Sequence, residues 1–512
     1  MRSPTRGNRP PRRVRPLIGY LAMGIVAMTF ALAACGSTST PSASSGGATT
    51  APSSAAPSQA AEPSTVPTVP PGGPVSIKWF CCLGGGDDES SLKTFKDLAD
   101  KFNASHPNIK VTIDHTAYEG ARQAFSVKLA SGNPPDVVGP LGVGGAAAFE
   151  GQWLDLQPYV DSAKIDLTAY DQAMVDLYRS GGDGLLGLPF AIYPSELFYE
   201  PEMFDEAGLE YPPASYGEQY KMPDGSMVDW NYDTVRKVAL LLTIDNKGRN
   251  ATESGFDPTK ITQYGFEPQR DDLRQMTAAY FGTGSLVADD GKTAQIPADW
   301  AAAWKWTYDG IWKDHFIMTD QVFRTPGFNG GGTAFNSGKV AMMENFLWAV
   351  CCVTEAGGKW DLGALPSNNG KVTAALNVDT FRVTKKSKHP AEAFEFLKYL
   401  VVGDGKTDML NAISGFPALK ADQGGFFAQL EEQKDDKGKL VYPPQVNWDV
   451  VTQAIPLSDV DPNFESAIPN YNKSLDVLVK YLTRFTATPN LNVDTELTKM
   501  KAELQASYDQ AQ

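Results

Sequence analysis

Three acids in a row, Asp87, Asp88 and Glu89, stand where a short apolar strand gives way to a helix. A helix start exposes free amide groups and ordinarily attracts an anion. Three carboxylates there repel one, so a site they rim suits a neutral or cationic ligand. The same acids also read as plain helix caps. Aromatic rings supply the complementary chemistry: a flat face packs on C–H groups while carboxylates and amides accept hydrogens from hydroxyls. The chain has ten Trp, nineteen Tyr and twenty-five Phe. That exceeds any ligand's need, so most are core and position must choose among them. Tyr118 follows the second strand in a short loop and is one such choice.

Signatures of turnover are missing. No His-Glu-x-x-His and no Gly-x-Ser-x-Gly occurs. Gly291-Lys-Thr293 and Gly405-Lys-Thr407 look like phosphate-loop ends, but Leu286 and Leu400 stand where the first glycine must be. Of four histidines, His106 and His389 precede prolines in turns. Asp245-Asn-Lys-Gly248, with Asn250 and Glu253, approaches a calcium loop, yet Lys247 interrupts the alternate oxygen ligands; a surface turn is the preferred reading. No cofactor and no metal is called for. Because glycosidases also work with cleft carboxylates, a secreted glycan-active hydrolase stays as the rival reading.

The compartment is written at the N-terminus. Arg2, Arg6, Arg9, Arg12, Arg13 and Arg15 precede an apolar run from Leu17 to Ala34, with no acid among them. A charged start, an apolar middle and small residues before a cut site make a secretory signal. Leu32-Ala-Ala-Cys35 resembles a bacterial lipobox, which implies cleavage before Cys35 and lipid on its sulfur. The run is also nearly long enough to span a bilayer as an anchor, and Arg12-Arg13 fits twin-arginine export poorly. Residues 36–74 are almost wholly Ser, Thr, Ala, Pro and Gly, a flexible tether with too little apolar surface to fold. The six arginines leave with the signal, so the formal charge goes from −15 to −21. Such acidity argues against nucleic acid and against electrostatic adhesion to anionic lipid. Besides Cys35 there are two adjacent pairs, Cys81-Cys82 and Cys351-Cys352. Export permits disulfides, and four cysteines allow three connectivities.

From Val75 the body alternates strand and helix. Val75, Ile77 and Trp79 alternate with Ser76 and Lys78 in a first strand. Leu92, Phe95, Leu98, Ala99 and Phe102 recur at helical spacing. A second strand over 109–114, a helix over about 120–130 and a short strand at 136–138 follow. This order predicts an α/β fold with a largely parallel sheet and helices on both faces.

Phe102-Asn-Ala-Ser-His-Pro-Asn-Ile-Lys-Val111 and Ala130-Ser-Gly-Asn-Pro-Pro-Asp-Val137 resemble the opening of extracellular solute-binding proteins of ABC importers, in the cluster of maltose-binding-protein-like sugar receptors. Gly187-Leu-Pro-Phe-Ala191, Pro201-Glu-Met-Phe-Asp-Glu-Ala-Gly208, Ala334-Phe-Asn-Ser-Gly-Lys-Val-Ala-Met342, the helix after His389 and Gly415-Phe-Pro-Ala418 agree in order. The resemblance implies a two-lobe, periplasmic-binding-protein-like fold of type II, with lobe one at 75–191 plus 376–417 and lobe two at 192–375 plus 418–512. The lobes would hinge near Ile192, Ala375 and Phe416. It further implies a small-molecule ligand, a sugar by preference or a peptide or polyamine, membrane permease subunits as partners, and a monomer. Tyr193 matches an acidic sugar contact of the family, Trp348 its stacking tryptophan and Tyr471 another lining aromatic, while Asp379 lies by the second crossover. Both cysteine pairs then fall at the cleft. A bridge between pairs would staple the lobes, which favours a bridge within each pair.

Overall fold

The computed structural model describes residues 73–510, apart from 87, 181–183, 271–272, 332, 352, 354–358, 435–436 and 460–467. These fall in one compact unit, Pro63–Gln512. The signal, Cys35 and most of the tether lie outside the described residues.

The first half follows the periodicities. Strand β1 (Val75–Cys81) leads to helix α1 (Glu89–Ser105), β2 (Ile109–His115), α2 (Tyr118–Ala130) and β3 (Val137–Gly142). Strand β1 pairs in parallel with both β2 and β3. Alternation along β1 sends successive rings to opposite faces. Trp79 packs 5.2 Å from Phe95 of α1, and equally far from Phe396. Phe80 stacks 5.5 Å from Phe125 of α2. Helices therefore cover both faces, and α1 buries Phe95, Leu98, Ala99 and Phe102 as its spacing predicts.

The sheet then changes character. Six of its nine strands run in the order β5-β4-β7-β3-β1-β2, where β4 is Ala191–Tyr199, β5 is Met342–Phe346 and β7 is Ala374–Val383. Strands β6 (Asp361–Gly363) and β8 (Phe416–Pro417) also pair with β4, and β9 (Ser458–Asp459) with β7. Pairing of β7 with β3 and of β4 with β5, β6, β7 and β8 is antiparallel. The sheet is thus mixed: parallel where strand–helix units wind, antiparallel where two long strands cross. Strand β4 pairs through Ala191–Pro194 with β7, and through Ser195–Tyr199 with β5. It is buried along its whole length. Strands β4, β7 and β8 meet at Ile192, opposite Val378 on one side and Phe416 on the other. A separate core of Leu197, Phe204, Val235, Val238, Phe266 and Ile311 packs around the far end of β4. Among the described residues no helix is long and apolar enough to cross a membrane.

Candidate functional site

The ends of β1 and β3 and the crossing strands converge on Asp379. Its carboxylate sits between two glycines. A Cβ at Gly84 would fall 3.0 Å from Oδ2 and 2.9 Å from the Pro140 carbonyl; one at Gly142 would fall 3.0 Å from Oδ1. Only glycine lets both strand ends approach the carboxylate so closely. In the ladders Asp379 faces Gly142 on β3 and Ala191 on β4. The carboxyl ends of parallel strands are where open α/β sheets take ligands.

Tyr193 lies two residues along β4, across from Asn377. Its hydroxyl donates to the Ile413 carbonyl at 3.1 Å. Burial, with Asp379 and Tyr178 adding to it, pushes its pKa well up, so the phenol stays neutral. Its ring meets Trp348 edge-on at 5.5 Å. Trp348 follows β5 in a short 3-10 turn, Leu347–Cys351. It stacks on Phe346 at 4.4 Å and 28° and is only half-buried. One face is thus backed by a ring, and part of the indole remains accessible.

Sequence reasoning missed a polar segment beside this wall. Glu267 bridges to Met343 of β5, accepting from the Glu344 amide at 3.2 Å and donating to the Met342 carbonyl at 2.9 Å. Its carboxylate pairs with Arg270, which also donates from Nη2 to the Met318 carbonyl at 2.6 Å. Both side chains are almost fully buried. Gln269 is buried beside them, and Tyr280 lies 6.1 Å from Phe346. Arg274 opens a π-helical turn, a form that recurs at functional sites. The available signal was the run of polar and charged residues between Phe266 and Leu273. Behind the wall, Glu344 accepts from the Tyr232 hydroxyl at 2.6 Å. Burial pushes its pKa to about 8 despite that hydrogen bond. Glu196 is fully buried, and burial raises its pKa as well.

Other expected residues land elsewhere. Asp88 is the N-cap of α1, with Oδ1 accepting from the Ser91 amide at 3.0 Å and Oδ2 from the Ser91 hydroxyl. Partial burial opposes ionisation there, but the Ser91 bonds outweigh it and hold the carboxyl below its usual range. The cap reading wins for Asp88. Glu89 is an exposed first-turn residue, and Asp87 lies outside the described residues. Tyr118 is the first residue of α2, not a loop residue, and stays 49% exposed. Tyr471 is 7% exposed and begins α6 (Tyr471–Ala487, counting Tyr232–Leu242, Ala298–Trp312 and Pro390–Val401 as α3 to α5). Arg122 and Arg274 approach its ring at 5.8 and 5.9 Å, so it forms a joint between α2 and α6, not an open plate. Nearby, Asn472 Nδ2 donates to the Ala148 carbonyl at 3.5 Å.

One chemical expectation is corrected and another, the turn at Asp245, holds. Cys81 is a free buried thiol, so a bridge within the first cysteine pair is not made. Cys81 continues the inward alternation of Ile77 and Trp79, whereas Cys82 Sγ turns to donate to the Gly86 carbonyl at 3.3 Å. Cys352 and the side chain of Cys351 lie outside what is described. Asp245 is occupied internally: Oδ1 accepts from the amides of Lys247 and Arg249, and Oδ2 accepts from the Arg249 guanidinium and the Asp257 amide. It is a turn-organising carboxylate.

Residues 97–429, more than half the chain, match the family described as bacterial extracellular solute-binding protein. The chain belongs to that family. An uncharacterized lipoprotein in the oleD 5' region of Streptomyces antibioticus is 23% identical over 344 residues, covering 65% of this solute-binding chain and 68% of that one. Among solved structures, the ABC substrate-binding protein Lmo0181 of Listeria monocytogenes, in complex with cycloalternan, gives a TM-score of 0.62 at 16% identity, covering 85% of this chain and 97% of that one. The GacH receptor of Streptomyces glaucescens, solved unliganded and with acarbose, gives 0.60 at 18%, covering 85% and 98%. The maltotriose-binding protein of Thermus thermophilus gives 0.57 at 19%, covering 84% and 99%. At these identities the likeness establishes a periplasmic-binding-protein-like fold.

Proposed function

We propose that this solute-binding protein captures a mono- or oligosaccharide outside the cell and hands it, unaltered, to an ABC permease. The observation that carries this reading is Trp348, half-buried and stacked on Phe346, with Tyr193 against its edge and Asp379 at the strand ends. An indole face packs on the C–H side of a sugar, and a carboxylate accepts its hydroxyls. Relatives of this fold named for cycloalternan, acarbose and maltotriose support the same ligand class. In this reading lobe one comprises 75–191 and 376–417, lobe two 192–375 and 418–512, and β4, β7 and β8 carry the hinge. Closure around a ligand is an established use of such hinges; periplasmic binding proteins are the standard example. Cleavage before Cys35 and lipid on its sulfur anchor the protein to the outer face of the membrane, with residues 36–74 as leash. It works as a monomer without catalysis.

A thermal-shift screen against mono- and oligosaccharides, amino acids, polyamines and short peptides tests the ligand class. A ligand at a hundredfold excess over Kd adds about 2.7 kcal/mol of stability. Saturable stabilisation by sugars alone is expected, with no reducing ends released. Stabilisation by polyamines or peptides instead, or hydrolysis of the bound glycan, overturns the reading.

A further inference from the structure

Arg382 has no use in the ligand site. It lies on β7 opposite Val138 of β3, and cross-strand partners share a sheet face. The residue is 7% exposed. Its guanidinium is flanked by the rings of Trp153, at 5.6 Å, and Tyr178, at 5.7 Å. Among the described residues no carboxylate forms an ion pair with it, and its buried Nε–H has no acceptor. Tyr178 is 2% exposed, and its buried hydroxyl has no acceptor either.

Aromatic faces attract a cation from above and below, but they offer nothing to the N–H groups that fan out in the guanidinium plane. A buried donor left without an acceptor, as Nε–H is here, costs the desolvation of that group. The neighbouring polar groups donate elsewhere: Trp153 Nε1 to the Ala146 carbonyl and Thr380 Oγ1 to the Leu188 carbonyl. Asp379 is within electrostatic reach of Tyr178, but no ion pair joins it to Arg382. Burial lowers the Arg382 pKa only to about 10, so the cation persists at neutral pH. The arrangement therefore consists of two kinds of donor and a positive charge around a shared lack of acceptor.

We propose that Arg382 and Tyr178 form an internal site for one small inorganic anion of chloride size, bound in the guanidinium plane by Nε–H and by the Tyr178 hydroxyl. The site is separate from the carbohydrate reading and needs no sugar. The anion would act as the missing counter-ion of β7, three residues from Asp379, and so couple halide concentration to the stability of a crossing strand.

The test follows thermal unfolding of the purified protein in sodium chloride against sodium gluconate at equal ionic strength. The expected result is a midpoint that rises saturably with chloride and not with gluconate. Arg382→Met should abolish the chloride response, and Tyr178→Phe should raise the half-saturating concentration about tenfold, the loss of one hydrogen bond to a charged group. Should Arg382→Met fail to fold, Tyr178→Phe and anomalous diffraction from bromide-soaked wild-type crystals decide the matter. A bromide peak beside Arg382 supports the site. Coincident chloride and gluconate curves, a response unchanged in Tyr178→Phe, or a water alone against Nε overturns it.

Discussion

In the proposed reading, ligand recognition turns on Trp348. Its indole is backed by Phe346 and only half-buried, so truncation removes a contact face without opening a sealed core. Trp348→Ala should weaken sugar affinity at least about tenfold, close to 1.4 kcal/mol, while the unfolding midpoint moves by only a few degrees; isothermal titration calorimetry and thermal unfolding measure the two separately. Glu344 gives a prediction of a different kind. Its folded pKa of about 8 lies above that of an unfolded glutamate. Between about pH 4.5 and 8 the folded protein therefore holds a proton that the unfolded chain releases. Stability from this group is complete below that window and is lost as pH rises through it, at up to about 1.4 kcal/mol per pH unit. Glu344→Gln, which keeps an acceptor for Tyr232, should flatten the decline in unfolding midpoint between pH 5 and 9. Comparing variant with parent isolates it from Glu196, whose pKa burial shifts the same way. The acids were the hardest residues to read in advance: Asp88 and Asp379 are the same amino acid, one a cap and one at the strand ends, and no local pattern tells them apart.

Among elements, the meeting of α2 with α6 merits a direct test. Arg122 lies over Tyr471, and Asn472 reaches the Ala148 carbonyl. If these helices belong to opposite lobes, the contacts form on closure and favour the liganded state. A cation–π contact of this kind contributes about 0.5–2 kcal/mol. Arg122→Ala should therefore lower ligand affinity about twofold to thirtyfold, read by titration calorimetry, with the free protein's unfolding midpoint nearly unchanged. Helix α1 and strand β1 were legible because amphipathic spacing and alternation are local properties of ten to fifteen residues. The antiparallel pairing of β4 and β7 was not. Both are buried along their whole length, polar residues included, so neither shows the in-and-out alternation that would signal a register.

For the molecule as a whole, β4, β7 and β8 meet at Ile192 in extended backbone, where the proposed reading puts the joint between two lobes. Small-angle scattering should give a smaller radius of gyration for sugar-saturated protein than for free protein, and Trp348→Ala should show that contraction only at correspondingly higher sugar concentration. Taken alone, the sequence determined the α/β class of the first half and, through the order of family-like blocks, membership of the solute-binding family. Caps, periodicity and short motifs act over a few neighbouring residues, so they survive in one dimension. Tertiary structure alone decided that Asp379 sits between Gly84 and Gly142, that Trp348 is only half-buried while Tyr471 is buried, and that Glu267 and Arg270 pair beside β5. Gly84 and Asp379 lie far apart in the sequence, and only the packing of a shared sheet brings that glycine against the carboxylate.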